Sequence, residues 1–141
     1  MTTIEQNKAI VLRFFEKFGN EGNTAIASEL FSNNFIDHAA PPGTPAGPEG
    51  AKQFLAKARS AFFGLHTTIE DLIGEKDKVA VRVTVRGTHK GDWMGISPTG
   101  KQVTWKGMDI FHIIDGKIVE RWVLRDHLGL LQQLGIQFLG S

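Results

Sequence analysis

Residues 101–126 read KQVTWKGMDIFHIIDGKIVERWVLRD, and they decide the fold. Asp115-Gly116 lies between two runs of strand-forming residues, a strong short-range signal for a two-residue hairpin. A hairpin there sets a register: Ile114 opposite Lys117, Ile113 opposite Ile118, Phe111 opposite Glu120 and Asp109 opposite Trp122. One face of the ribbon then carries Asp109, Phe111, Ile113, Ile118, Glu120, Trp122, Leu124 and Asp126. The other carries Met108, Ile110, His112, Val119, Arg121, Val123 and Arg125. Only the first face sets carboxylates among aromatic and aliphatic neighbours, where burial raises a carboxyl pKa towards the range useful for proton transfer. A β-bulge would reverse this parity beyond it.

Upstream the same period of two continues. Val79, Val81, Val83 and Val85 alternate with Ala80, Arg82, Thr84 and Arg86, and His66 to Ile73 reads as a strand before them. Before residue 65 the period is 3.6. Ile4, Val11, Phe14 and Phe18 mark a first helix, opened by a capping box of Thr2 or Thr3 with Glu5 or Gln6 and stopped at Gly19. Helices are expected at 4–18, 24–31 and 48–63, with Pro48 in the first turn of the third. PPGTPAGPEG, residues 41–50, is a loop, because its prolines fit neither helix interior nor central strand. Leu128, Leu131 and Leu134 suggest a short C-terminal helix. Helices first and antiparallel strands after them make an α+β fold, with the helices on one face of a curved sheet. The 141 residues fit a single domain, 1–141.

Composition excludes whole classes of chemistry. There is no cysteine and no tyrosine, so thiolate metal sites, cysteine nucleophiles and phenol acids are ruled out. A net charge of +1 is no footprint for nucleic acid or an anionic membrane. The N-terminus has no signal-peptide pattern and no stretch is long enough to span a bilayer, so a cytoplasmic protein is expected. No HxH or HxxxH pair is present, and no metal site is expected. There is no GxSxG elbow, Walker loop or GxGxxG turn.

Each remaining candidate has two readings. Asp126 precedes a short helical run, so it is either its N-cap or an acid/base on the face of Trp122 and Asp109. Asp109 is either a pocket carboxylate or an ion-pair partner of Lys106 or Arg121. His38, at the head of the Pro-rich loop, and His89, at a strand end, are either proton donors or ordinary turn residues. Trp93, Trp105, Trp122, Phe14, Phe35, Phe54 and Phe111 are either the walls of a pocket for a small apolar or aromatic ligand or simply core. The Gly-rich loop 89–100 suits a pocket rim. The supposed outer face of Met108, Ile110, Val119 and Val123, rimmed by Arg121 and Arg125, suits a homodimer. The apolar tail Ile136-Gln137-Phe138-Leu139 would cover that interface or the pocket mouth.

FIDHAAPPG at 35–43, GTHKGDWMGISPTGK at 87–101, GMDIFHIIDGKIVERW at 107–122 and Asp126 with LGLLQQLG resemble the SnoaL-like polyketide cyclases of the NTF2-like superfamily. The resemblance covers nearly the whole chain. It implies an α+β cone, a bent antiparallel sheet around a pocket closed by three helices. It implies a homodimer and a cofactor-free enzyme that closes a polyketide ring by an intramolecular aldol reaction. It also implies an acid/base aspartate on the last strand, matched by Asp126, faced by a glutamine and a histidine on the strand before. Asp109 and Phe111 stand there, so the histidine is absent. A binding or association module with the same pocket and no turnover is the alternative.

Overall fold

The computed structural model describes residues 2–137. Helix α1 (Ile4–Arg13) opens on the expected box: Thr3 Oγ1 accepts the Gln6 N–H, and Gln6 Oε1 accepts the Thr3 N–H. It then widens into a π-helical turn over Phe14–Asn20, so helical structure runs past Gly19. The wide turn brings Phe14, Phe15 and Phe18 together into the core. A short turn at Thr24–Ile26 leads into α2 (Ala27–Leu30) and strand β1 (Phe31–Asp37). Helix α3 (Pro48–Ala61) starts on its proline, as the sequence predicts. Four long strands follow: β2 (Phe62–Glu75), β3 (Lys78–His89), β4 (Gln102–Ile114) and β5 (Lys117–Arg125). Helix α4 (His127–Gln133) ends the described chain. Phe138 and Leu139 of the apolar tail lie outside the described residues.

The sheet order is β1-β5-β4-β3-β2, and the fold is α+β with a curved, unclosed sheet. Strands β2 to β5 are antiparallel, as expected. Strand β1 is a correction. It pairs parallel with β5, where the sequence suggests the end of a helix. Phe31 and Phe35 are four apart, a spacing that serves either a helix face or one side of a strand. Here it serves the strand, and both rings are buried.

Turn residues Asp115 and Gly116 have φ of 50° and 80°, as a type I′ hairpin demands. Ile114 pairs with Lys117 and Ile113 with Ile118, but His112 then pairs with Glu120. Val119 is the extra residue of a bulge, and from there the alternation of β5 reverses. Phe111 faces Arg121, Asp109 faces Val123 and Gly107 faces Arg125. The inner face of the sheet therefore carries Val79, Val81, Val83 and Val85 from β3, and Trp105, Asp109, Phe111 and Ile113 from β4. Ile118, Arg121, Val123 and Arg125 of β5 face the same way. Trp122 and Leu124 point outward beside Met108 and Ile110.

Where β5 stops, α4 continues its task. The Gln133 amide accepts the Thr104 N–H at 2.9 Å and donates to the Thr104 carbonyl at 2.7 Å, closing the free edge of β4. Leu130 and Leu134 seal the core beneath it. Among the described residues no helix is long and apolar enough to cross a membrane.

Candidate functional site

The bulge places two arginines beside Asp109 on the inner face. Arg121 Nη2 donates to Asp109 Oδ2 at 2.7 Å. Arg125 Nη1 donates to Oδ1 and Nη2 to Oδ2, the latter at 3.2 Å. Gly107 makes room for this, because a Cβ there would sit 2.6 Å from Arg125 Nη1. The Arg121 guanidinium also lies 4.7 Å from the ring centre of Phe14 and 5.3 Å from that of Phe111, within cation–π range. Burial is the largest influence on the Asp109 carboxyl and by itself would push it up. The Arg121 charge, with the charge and hydrogen bonds of Arg125, outweighs burial and holds the carboxyl below the usual range.

Two guanidinium cations against one carboxylate leave one surplus positive charge. The Asp109 side chain is fully buried, whereas 12% of each arginine side chain reaches solvent. The cations are thus the part of the cluster nearer to solvent. Arg121 Nε is buried with no acceptor among the described residues. Such a cluster can hold an oxyanion and attract an enolate.

A second polar group sits at the other end of the inner face. His89 is fully buried against Phe62, which also contacts Trp93 and Trp105 at 5.3 and 5.0 Å between ring centres. The loop 90–101 is pinned over this end. The N–H groups of Lys90 and Gly91 both donate to the Ala61 carbonyl, and Trp93 and Ile96 exchange hydrogen bonds across a tight turn. Phe54 meets Trp93 edge-on but is itself largely exposed. Phe35 packs against Phe31 with the rings tilted, deeper in the core.

Several sequence expectations are corrected here. Asp126, Trp122, Leu124 and Glu120 do not share the face of Asp109, because the bulge turns β5 over before them. Asp126 is an exposed N-cap of α4, accepting the Gly129 N–H at 2.8 Å. A Cβ at residue 129 would push the Asp126 carboxylate out of its capping position. His38 lies on the outer face of the sheet, stacked on Trp122 at 4.8 Å, with Nε2 bound to Glu120 at 2.9 Å. His112 joins the same outer chain, 3.0 Å from Glu120 and 2.7 Å from Asp77. Arg121, Val123 and Arg125 leave the proposed outer face for the inner one.

The sequence offers Arg121 as an ion-pair partner of Asp109, and the 2.7 Å contact bears this out, but the hairpin register assigned both arginines to the wrong side. Two signals pointed to them. An inward Asp109 requires a counter-charge, and Gly107 two residues before it leaves the space in which Arg125 packs. Among the described residues no group of three or more His, Asp or Glu side chains is arranged to hold a metal. Two surface clefts, of about 420 and 740 Å³, lie along α1, one against β2 and one beside the β4–β5 turn. Neither contains the arginine cluster.

Residues 9–134 match the family model described as SnoaL-like polyketide cyclase. The chain is 34% identical over 133 residues to the aklanonic acid methyl ester cyclase AcmA of Streptomyces galilaeus, covering 90% of this chain and 89% of that one. It is 27% identical over 118 residues to the nogalonic acid methyl ester cyclase of Streptomyces nogalater, covering 82% and 88%. Among solved structures, TsrD from Streptomyces laurentii superposes with a TM-score of 0.88 at 27% identity, covering 96% of this chain and 98% of that one.

Proposed function

We propose, from the premise that the chain belongs to the SnoaL-like polyketide cyclase family, that it is a cofactor-free cyclase working through an enolate on a small apolar carbonyl compound. The observation that carries this reading is the buried Arg121–Asp109–Arg125 cluster with its surplus positive charge. A carbon flanked by two carbonyls is acidic enough for a weak base, provided the enolate oxygen is met by a cation. A substrate oxygen approaching Arg121 draws the guanidinium away from Asp109. With one of its two counter-charges removed, the buried carboxylate becomes more basic, while Arg125 still holds it. Asp109 then takes the proton from carbon, the arginine holds the enolate, and the carbanion closes on a second carbonyl within the same molecule. The new alkoxide recovers the proton from Asp109.

The test is exchange of the α-protons of methyl benzoylacetate with deuterium, followed by NMR. The wild type should accelerate it, and Asp109→Asn should lose about 10²–10⁴-fold. Exchange at the wild-type rate in the folded variant rejects the role of Asp109. A second reading, a binding module without turnover, is favoured by one feature. The β5 residue facing Asp109 is Val123, so the last strand presents no inward carboxylate.

The outer face also supports a homodimer. Met108, Ile110 and Leu124 are 62%, 43% and 78% exposed on one side of the sheet. An apolar sheet face of this kind suits burial against a second copy.

A further inference from the structure

We infer that His38, acting from the outer face, is the positioning residue that holds β5 in its bulged register and so keeps Arg121 against Asp109. Its bearing on catalysis rests on the role proposed above for that cluster. A bulge has a close competitor, the regular pairing one residue away, and that slip turns every later side chain to the other face. In β5 the slip would set Glu120 and Trp122 inward and carry Arg121 and Arg125 outward. The neighbouring strand β1 gives little to prevent it. Past Val119 it pairs only through Ile36 opposite Glu120 and Asp37 opposite Arg121. Beyond Arg121 no β1 residue is paired with β5.

His38, the next residue of the chain, closes this end with contacts to three consecutive residues of β5. Its backbone N–H donates to the Arg121 carbonyl at 3.0 Å. Its Nε2 lies 2.9 Å from Glu120 Oε2. Its ring stacks on Trp122, 4.8 Å between centres and 8° from parallel. A carboxylate oxygen only accepts, so Nε2 carries the proton. The other Glu120 oxygen is held by His112 Nδ1 at 3.0 Å, and Lys78 Nζ lies 5.7 Å from the centre of the Trp122 ring. Glu120 and Trp122 are thus fixed on the outer face, and Arg121 between them points inward. There its charge is, after burial, the strongest influence on the Asp109 carboxyl, and it lowers it. Residue 38 needs both a flat ring and an N–H donor. Phenylalanine would supply only the first, and glutamine only the second. The ion pairs inside favour the same register, so the question for experiment is whether they hold it without the outer clamp.

Two NMR readouts report the order of the cluster. One is the titration of the Asp109 carboxyl carbon, assigned by its loss in Asp109→Asn. The other is solvent exchange of the buried Arg121 Nε–H. His38→Ala should raise the Asp109 pKa by about half a unit or more. It should also speed exchange of the Arg121 Nε–H and of the β5 amides by about tenfold, while the amides of β2 and β3 keep their wild-type rates. Asp71→Ala, which breaks the outer-face pair with Arg82, should change neither readout. His38→Gln keeps a donor for Glu120 and His38→Phe keeps the stack on Trp122, so each should recover part of both. These readouts need no substrate, so they stand or fall apart from the α-proton exchange that tests the proposed function. Wild-type values of both in His38→Ala would overturn the inference, as would loosening of β2 and β3 to the same degree as β5. Should His38→Ala not fold, wild-type values in both His38→Gln and His38→Phe would overturn it equally.

Discussion

Replacing Asp109 by Asn keeps the outline of the side chain and removes its charge. In the wild type that carboxylate, fully buried, accepts from Arg121 and doubly from Arg125. An amide can turn only one oxygen towards them, and its NH₂ group then faces a guanidinium. Two largely desolvated cations remain without a counter-ion. Breaking a buried ion pair by removing one partner costs about 3–5 kcal/mol. The whole stability of a domain is about 5–15 kcal/mol, so the variant stays folded with little in reserve. For a chain of this length Tm should fall by roughly 9–15 °C. Urea denaturation followed by circular dichroism gives the difference directly. A companion variant separates charge from packing: Asp109→Leu with Arg121→Met and Arg125→Leu replaces the cluster by apolar groups. Its stability should return to within about 1–2 kcal/mol of wild type, because apolar replacement of a buried ion triad is often neutral. A loss below about 1 kcal/mol in Asp109→Asn, or a companion as unstable as the single variant, would refute a desolvated cluster.

Asp126→Asn should leave stability within about 0.5 kcal/mol, since Asn caps as well as Asp, and should leave α-proton exchange unchanged; a hundredfold loss would restore Asp126 as the acid/base. Gly129→Ala should cost no more than about 1 kcal/mol, because the expelled cap is offset in part by the better helix propensity of Ala, read from the same denaturation curves. His112 should make stability pH-dependent. Hydrogen bonds from His112 to Glu120 and Asp77, against some burial, raise the His112 pKa above 6.5, and the His112 and His38 contacts lower that of Glu120 below 4.5. The His112 contribution is therefore complete below 6.5 and lost as pH rises through its raised value; that of Glu120 is complete above 4.5 and lost as pH falls through its lowered value. His112→Gln should accordingly melt below wild type at about pH 5.5 and close the gap at about pH 9; a gap that does not change between them contradicts the network. Sedimentation should show a dimer at micromolar concentration that Leu124→Asp disperses; a wild-type monomer there counts against the outer face as an interface.

The hairpin was legible because its chemistry is local. Asp115-Gly116 accepts positive φ at both positions, and alternating valines announce β3 without help from elsewhere. The bulge was not legible. Val119 is a strong strand former flanked by Ile118 and Glu120, with no glycine to mark an extra residue. One uncounted residue moved Arg121 and Arg125 inward and Trp122 outward, so the face on which the register had set Trp122 and Asp126 beside Asp109 carries two arginines, of which only Arg121 had been read as its partner. The inward placement of Asp109 was legible, because it depends on β4 alone. Strand β1 was hidden by its spacing of four and its polar Ser32, Asn33 and Asn34. The partnering of His89 by Thr99 joins residues ten apart through a loop conformation that spacing does not reveal.

The surplus positive charge on the inner face is tested most directly by titrating a bound 1,3-diketone. Dibenzoylmethane absorbs differently as enol and as enolate, so its pKa can be followed when bound to the protein. The Arg121–Asp109–Arg125 cluster should lower that pKa by about one unit or more relative to water. Arg121→Met, which removes the surplus charge and keeps an apolar side chain on Phe14 and Phe111, should abolish the shift. A bound diketone that titrates as in water, or a shift that survives Arg121→Met, would contradict the account.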